Sequence, residues 1–495
     1  MITPMQQKIR DKTITAKKWA EMVKSGDWIC LGGAGADGVA CPDALVNKIG
    51  DGPGMVKDIE LWSYGHFNPM RFHSIDPEEK YHLHHEGFFF PWARKQRDES
   101  GTIDHISWEW PLGLWQSYYR FFHKEKSKRR LDWTVISCSP PESGYLNFSY
   151  STGGAMAWAQ SAKKLVLEVR EDYPWAEGGA NNLIHIDDVD YIVEVDIDRY
   201  PWSQHDEAEP GEAERQIAEN ILTIMQDGDC IQLGIGSLPT AVARAISGCG
   251  LKHLGIHTEM LQEGLMAMIE SGVVDNSQKA IDRGKTVWGF ALPLHVQRYY
   301  DFVHHNKELA VYDVNYTNNI KQLSQIDNMV AIDNFLAVDL QGRLSASYYD
   351  ARSISGTGGF FQFLAFCALS KGGRAIATAT STNQVHGKLV SRVVPTLPGG
   401  SNVDLPEHLV SWVTTEYGMV NLWGLSSYER ARALISIAHP DFRENLEREA
   451  QRLNLTPKHF PVSMVGPDRR YPDYHERSDF KLPYTEDWRG FDYDI

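Results

Sequence analysis

The acid in HLGIHTEML (His253–Leu261) is the residue of this chain whose type and setting most directly suggest chemistry. Glu259 stands in an otherwise mostly apolar segment, and ionised side chains are rarely buried without a partner. If the segment is a strand ending at the carboxylate, Glu259 sits where open α/β sheets hold their ligands, at a strand's C-terminal end. A salt-bridged or surface acid is the commoner use of such a residue, and position alone favours it. A second candidate is SISGTGGFFQF (Ser353–Phe363), where Gly356, Gly358 and Gly359 fall within four residues. Such a turn can aim N–H groups at an anion or a carbonyl oxygen. It lacks the Lys-Ser/Thr ending of a P-loop and does not match GxGxxG, so a plain glycine turn fits equally well. SKGGRAIATATST follows, with Lys371 and Arg374 as candidate phosphate contacts or as a solvated basic pair. GIGSLP, with Gly234 and Gly236, opens a helix and either seats a substrate or closes a tight loop. In YHLHHEGFFFPWARKQR (Tyr81–Arg97), His82 and His84 would share one face of a strand and could both bind a metal. No distant Cys or His pair has ligand-like spacing, so a surface or pocket-lining role is expected there and no metal.

These groups need a scaffold to position them. At 495 residues, with 42% hydrophobic and 23% charged side chains, the chain reads as globular with two or three domains. KSGDWICLGG (Lys24–Gly33) and QDGDCIQLGI (Gln226–Ile235) form a weak internal repeat. Each reads as a short strand, a glycine turn and then a helical run, which suggests two similar α/β halves. Further strands are expected in DWTVISC, KLVLEV, HLGIHTEM, LAVYDVN, MVAIDNFLAVDL and RAIATAT, with helical stretches between several of them. That alternation favours mainly parallel sheets with covered faces. The acidic, turn-rich YPWSQHDEAEPGEAERQI marks a boundary. The expected organisation is 1–205 with an aromatic-rich insert at about 60–130, then 206–455, then a tail at 456–495. A net charge of −16 argues against nucleic acid. No run approaches the roughly 18 apolar residues of a membrane span, and the N-terminus lacks a signal-like apolar core, so the cytosol is expected. The six scattered cysteines are expected to be reduced.

Taken together, GIGSLPTAV, HLGIHTEML, SGTGG with SKGG after it, VTTEYGMVNL and RARALISIAHPDF resemble the acetyl-CoA hydrolase/transferase family, in particular its 4-hydroxybutyrate and butyryl-CoA:acetate CoA-transferases. SGDWICLGG and CSPPESGYLNFSYS fit the N-terminal half of that family. The resemblance covers roughly residues 10–450. It implies two open α/β domains with mainly parallel sheets, facing each other across a cleft. It makes Glu259 the nucleophile and places the turn of Gly356, Gly358 and Gly359 near the reacting thioester. Gly234, Gly236, Lys371 and Arg374 become candidate oxyanion or CoA contacts, and His257, Phe360, Phe361 and Gln362 candidate pocket residues. CoA is implied as a cosubstrate, with an acyl-CoA and a carboxylic acid as partners, no metal or prosthetic group, and a homodimer or higher homo-oligomer. The implied activity is acyl-CoA:carboxylate CoA transfer. A hydrolase on the same scaffold and a non-catalytic CoA- or acid-binding subunit are the alternatives.

The chain departs from the family pattern in places. Where the family usually continues GGQxDF, this chain has GGFFQF, with Phe360 and Gln362 at the amide and acid positions. Asp333 stands at a frequent asparagine, and VDLPEHL lacks the arginine of a usual TTxR. The aromatic insert, with FFFPWAR and ISWEWPLGLWQSYYRFF, suggests an acid pocket larger or more apolar than acetate needs. Core or interface packing is the equal alternative for those aromatics.

Overall fold

The computed structural model describes residues 3–67, 69–107, 109, 129–201, 209–291, 296–385 and 387–455. Most of the aromatic stretch after Ile106, and the tail from 456, lie outside the described residues. Seven strands form the first sheet: β1 (Trp28–Cys30), β2 (Ile59–Ser63), β3 (His82–Glu86), β4 (Asp104–His105), β5 (Leu131–Cys138), β6 (Ala162–Val169) and β7 (Tyr191–Glu194). They lie in the order β4-β3-β2-β1-β5-β6-β7, all parallel. The long run LDWTVISC is buried at every position but one, as expected for a parallel strand covered on both faces.

The second sheet contains β8 (Cys230–Leu233), β9 (Gly255–Ile256), β10 (Met329–Asn334), β11 (Arg374–Thr378), β12 (Trp412–Thr415) and β13 (Gly418–Asn421), in the order β9-β8-β10-β11-β12-β13. All are parallel except β13, which returns along β12. The sequence repeat has a structural meaning. Its copies are β1 and β8, and each is the strand from which the chain first builds one way and then the other. The C-terminal ends at such a reversal are where open α/β sheets bind ligands. After β1 come a glycine turn and helix α1 (Ala40–Val46), and after β8 come GIG and helix α2 (Ser237–Gly248). Pro239 falls in the first turn of α2, where a missing N–H costs nothing. Ala241 and Ala243 of α2 are buried and let it pack closely, so that a Cβ on Gly264 would come within 2.8 Å of Ala243 Cβ.

Three expected strands are broken. HLGIHTEM contributes only Gly255–Ile256 to the large sheet. Met260–Leu261 pairs with Phe290–Ala291 in a separate ladder. Glu259 therefore lies in the link between two ladders rather than at the end of one strand. MVAIDNFLAVDL is β10 and then Ala337–Asp339, which pairs with Leu344–Ser345 and Val393–Val394. The switch occurs where Phe335 N–H still bonds to Thr378 while Leu336 N–H has already turned to Ser345. LAVYDVN is a strand only over Leu309–Val311; Asp313 then caps the short helix Val314–Thr317 by accepting from Asn315 N–H. All six cysteines are unpaired, five of them buried. Among the described residues, no helix is long and apolar enough to cross a membrane.

Candidate active site

The link that carries Glu259 is held at both sides. His257 N–H bonds back to Ile231 in β8, and the N–H groups of Gly289 and Phe290 both donate to the Glu259 carbonyl, at 2.9 and 3.0 Å. The residue is half-buried. Asn318 Nδ2 donates to Glu259 Oε2 at 2.5 Å. Asn318 is itself fixed, because its Oδ1 accepts from Thr317 Oγ1 at 2.7 Å. The Thr317 carbonyl accepts from His257 Nε2 at 2.9 Å.

The glycine turn closes against the same carboxylate. A Cβ on Gly359 would fall 2.0 Å from Glu259 Oε2 and 2.6 Å from Asn318 Nδ2, so no side chain fits there. Gly358 has φ +58, and a Cβ there would sit 3.5 Å from Glu259 Oε1 and 3.6 Å from Phe88. Glu109 makes a parallel β-bridge to Gly358 and accepts from Gln362 Nε2 at 2.7 Å. The first half of the chain thus reaches the turn with Phe88 and Glu109. Arg94 Nη1 adds a bond to the Ile354 carbonyl at 3.2 Å.

At the β8–β10 reversal, Asp333 accepts from Gln232 Nε2 at 3.1 Å, and its other oxygen has no partner. Gly234 packs on Asp333, so that a Cβ would come within 2.8 Å of Oδ1. Asn334 Nδ2 donates to the Ile235 carbonyl at 3.1 Å, and Gln262 donates to the carbonyls of Leu233 and Gly234. Gly236, at φ +120, completes this loop before α2. The electrostatics follow from burial. Desolvation pushes the Glu259 carboxyl up to about 8; the Asn318 bond pulls against it and the charge of Asp333 adds to it. Asp333 is raised by burial to about 7, opposed by Gln232.

Not every expected site residue arrives here. Arg374 opens β11, at the opposite end of the sheet from Asp333. Its guanidinium is buried on Asp229 and the Ile224 carbonyl, so it is a structural ion pair and not a phosphate contact. Lys371 lies beside it on the turn that bonds Asn328, again away from Glu259. His257 is fully buried, and desolvation lowers it to about 3, so the ring is neutral and works as a brace under Thr317. Phe360 is buried in the core of the second sheet, and Phe361 packs edge-on against Phe366 with 5.7 Å between ring centres. Gly356 is buried in the turn. Of the pocket candidates, Gln362 alone touches a polar group from the other half. Asn318 escaped sequence reading because VNYTNN carries no motif. Glu109 escaped because one acid in an aromatic run reads as surface.

Two parallel sheets meeting around one glutamate, with a glycine turn closed on its carboxylate, have the architecture of a CoA-transferase. Residues 4–198 match the Acetyl-CoA hydrolase/transferase N-terminal domain, and residues 296–450 match the Acetyl-CoA hydrolase/transferase C-terminal domain. The chain is 33% identical to a probable butyrate:acetyl-CoA coenzyme A-transferase of Syntrophomonas wolfei, over 92% of this chain and 98% of that protein. It is 36% identical to a 4-hydroxybutyrate coenzyme A transferase of Clostridium kluyveri, over 75% of this chain and 82% of that one. The crystal structure of a 4-hydroxybutyrate CoA-transferase from Porphyromonas gingivalis superimposes with a TM-score of 0.69 at 30% identity, covering 90% of this chain and 99% of that one. The chain belongs to the acetyl-CoA hydrolase/transferase family, and it is an enzyme of the CoA-transferase class.

Proposed function

We propose that the protein transfers CoA between an acyl-CoA and a carboxylic acid by ping-pong chemistry on Glu259. One observation carries this reading: a half-buried carboxylate is oriented by Asn318 against Gly359, at a distance that excludes any side chain. The ionised Glu259 oxygen attacks the thioester carbonyl carbon, whose electron pair moves onto oxygen. That intermediate collapses, the C–S bond breaks, and CoA leaves as a thiolate from an acyl-glutamyl anhydride. The thiolate then attacks the glutamyl carbonyl and expels the first acid as a carboxylate, leaving a glutamyl-CoA thioester. A second acid runs the steps in reverse. Splitting one exchange in this way replaces a hard displacement by easier ones. The N–H groups of Gly358 and Gly359 serve as oxyanion donors, each worth up to about 3–4 kcal/mol. Gly234, Gly236 and Asp333 frame the cleft wall at the strand reversal.

The two halves, 1–205 and 206–455, each supply part of the site, and whole chains assemble as a homodimer or higher homo-oligomer. Phe88 beside Gly358 makes the acid subsite apolar and suits a four-carbon or longer acyl group better than acetate. One relative is named for butyrate and acetyl-CoA and another for 4-hydroxybutyrate, which places four-carbon acids within the range of this family. Incubation with butyryl-CoA followed by peptide mass spectrometry tests the mechanism. A CoA thioester on Glu259 is expected, and it should vanish in Glu259→Ala. No adduct, with normal turnover in that variant, ends the proposal. Free-CoA release with and without added carboxylate separates transfer from hydrolysis. Turnover of acetyl-CoA against isovaleryl-, benzoyl- and phenylacetyl-CoA tests the pocket, and a clear preference for acetyl-CoA would sink the apolar assignment.

A further inference from the structure

Away from Glu259, the first sheet holds a buried histidine network that the transfer chemistry does not use. His82 and His84 lie on one face of β3, and His73 lies on the short helix Phe72–Ile75. All three are buried.

The hydrogen bonds fix where the protons are. The Glu86 carboxylate accepts from the N–H groups of Gly65 and Phe88, and from Ser63 Oγ at 2.8 Å. Ser63 therefore spends its proton on Glu86 and accepts from His84 Nε2 at 2.6 Å. That leaves a lone pair on His84 Nδ1, which lies 2.9 Å from His73 Nε2, so His73 donates there. Neutral His73 then carries its own lone pair on Nδ1. His82 Nδ1 lies 2.9 Å from Asp76, a carboxylate that already accepts two backbone N–H groups, so this nitrogen also donates. The lone pair of His82 is on Nε2. Neither His73 Nδ1 nor His82 Nε2 has a hydrogen-bond partner. One ring nitrogen of each of these histidines and a Glu79 carboxylate oxygen lie within 4.8 Å of one another. Both rings keep an unpartnered nitrogen in a cluster that also holds an acid side chain, a donor set that a cation would satisfy.

We propose that His73, Glu79 and His82 bind a divalent transition-metal ion of the zinc class. Two imidazoles and one carboxylate are a donor set that suits zinc. Each imidazole already donates its other nitrogen, His82 to Asp76 and His73 to His84, as metal-binding histidines do. Bonds of about 2.0–2.1 Å put tetrahedral ligands about 3.3 Å apart, so the half-buried Glu79 arm draws in by a modest amount. Glu79 also lines a cleft of about 600 Å³ with Arg97, Asp104 and Tyr348, so the cluster adjoins open space through that residue. Sequence spacing pointed away from a metal because no distant Cys or His pair stood at a ligand-like interval, and His73 and Glu79 both precede His82 at no recognised one. His84, the partner expected for His82, uses both nitrogens elsewhere and is no ligand. A second cluster, Glu142 with His304 and His305, differs: His305 Nε2 already meets Glu142 at 3.1 Å, and His304 Nδ1 accepts from Trp175 N–H at 3.1 Å.

The ion's place in the fold is that of a staple. It joins the Phe72–Ile75 helix to β3, and Glu79 Oε1 accepts from Ile103 N–H at 3.2 Å, just ahead of β4 and the stretch that carries Glu109. The test uses the full chain without a histidine tag, stripped with chelator and titrated with Zn²⁺ by calorimetry, and with Co²⁺ by visible absorption. One equivalent of tight binding is expected, with tetrahedral Co²⁺ bands and a raised Tm. Glu79→Gln and His82→Gln should each weaken binding by at least about tenfold, and Asp76→Asn by about 10–100-fold, while His305→Gln changes nothing. Should His82→Gln fail to fold, Glu79→Gln, at a half-buried site, carries the test. Absence of stoichiometric binding, or equal affinity in wild type and Glu79→Gln, overturns the proposal. Neither result bears on Glu259.

Discussion

Replacing Glu259 by glutamine should stabilise the protein, and stabilise it more as pH rises. Burial pushes this carboxyl from 4.5 to about 8, while an unfolded glutamate titrates near about 4.3. Between those values the folded chain keeps a proton that the unfolded chain loses. The group's contribution to stability is therefore full below about pH 4.5, declines as pH rises towards 8, and is flat above it. A span of roughly 3.5 pH units at about 1.36 kcal/mol each gives an upper limit near 5 kcal/mol. Glu259 keeps some contact with water, so about half of that, ~2 kcal/mol, is the expected loss. Glutamine has the same length, can still accept from Asn318, and never ionises. The variant should thus match wild type to within a few tenths of a kcal/mol at pH 5 and exceed it by about 2 kcal/mol at pH 8.5. Relief of the neighbouring Asp333 acts in the same direction. Urea unfolding of both proteins, free of acyl-CoA, at intervals from pH 5 to 8.5 measures the difference. Curves that stay parallel across the range, or a variant that loses its advantage at high pH, would refute the claim that the fold holds Glu259 protonated.

Gly359→Ala should leave the fold intact and cut kcat/KM by at least about a hundredfold, because its Cβ must displace the Glu259 carboxylate and displacements of about 1 Å cost that much. Circular dichroism with steady-state kinetics checks both halves of that statement. In wild type, kcat/KM should rise with pH through about 8, since the attacking carboxylate must lose its proton. Asp333→Asn removes a charge that raises Glu259, so the rising limb should move to lower pH; a limb that stays put would show that Asp333 does not act on the nucleophile. Arg374→Met should cost about 3–5 kcal/mol of stability by leaving Asp229 buried and unpaired. KM for acyl-CoA should be unchanged in that variant, and a large rise would restore Arg374 as a phosphate contact.

The sequence made the two α/β halves legible because their first strands and glycine turns repeat, and repeated local chemistry survives translation into structure. Glu259 was singled out only through an ordered set of motifs, since one acid between apolar residues has many uses. What could not be read was anything set by where strands stop. HLGIHTEM, MVAIDNFLAVDL and LAVYDVN each have a strand's composition throughout, yet each changes ladder or ends where a backbone N–H finds a different acceptor. Arg374 was misread for the same reason: distance from a glycine turn in sequence does not say which end of the sheet a residue occupies. Asn318 and Glu109 come from far along the chain in either direction and meet the site only through tertiary packing.

A proposed nucleophile held mostly protonated at neutral pH invites the objection that such a site would be built against its own reaction. The magnitudes answer it. With the carboxyl raised to about 8, ionising it at pH 7 costs about 1.4 kcal/mol. A single oxyanion donor returns up to about 3–4 kcal/mol in the transition state. The desolvation that raises Glu259 also makes its carboxylate more basic, and so a better attacker when it forms, and in the proposed mechanism it would keep water from the anhydride. Asn318 sets the balance. Its one hydrogen bond favours the ionised form, and without it burial and Asp333 would both push the same way.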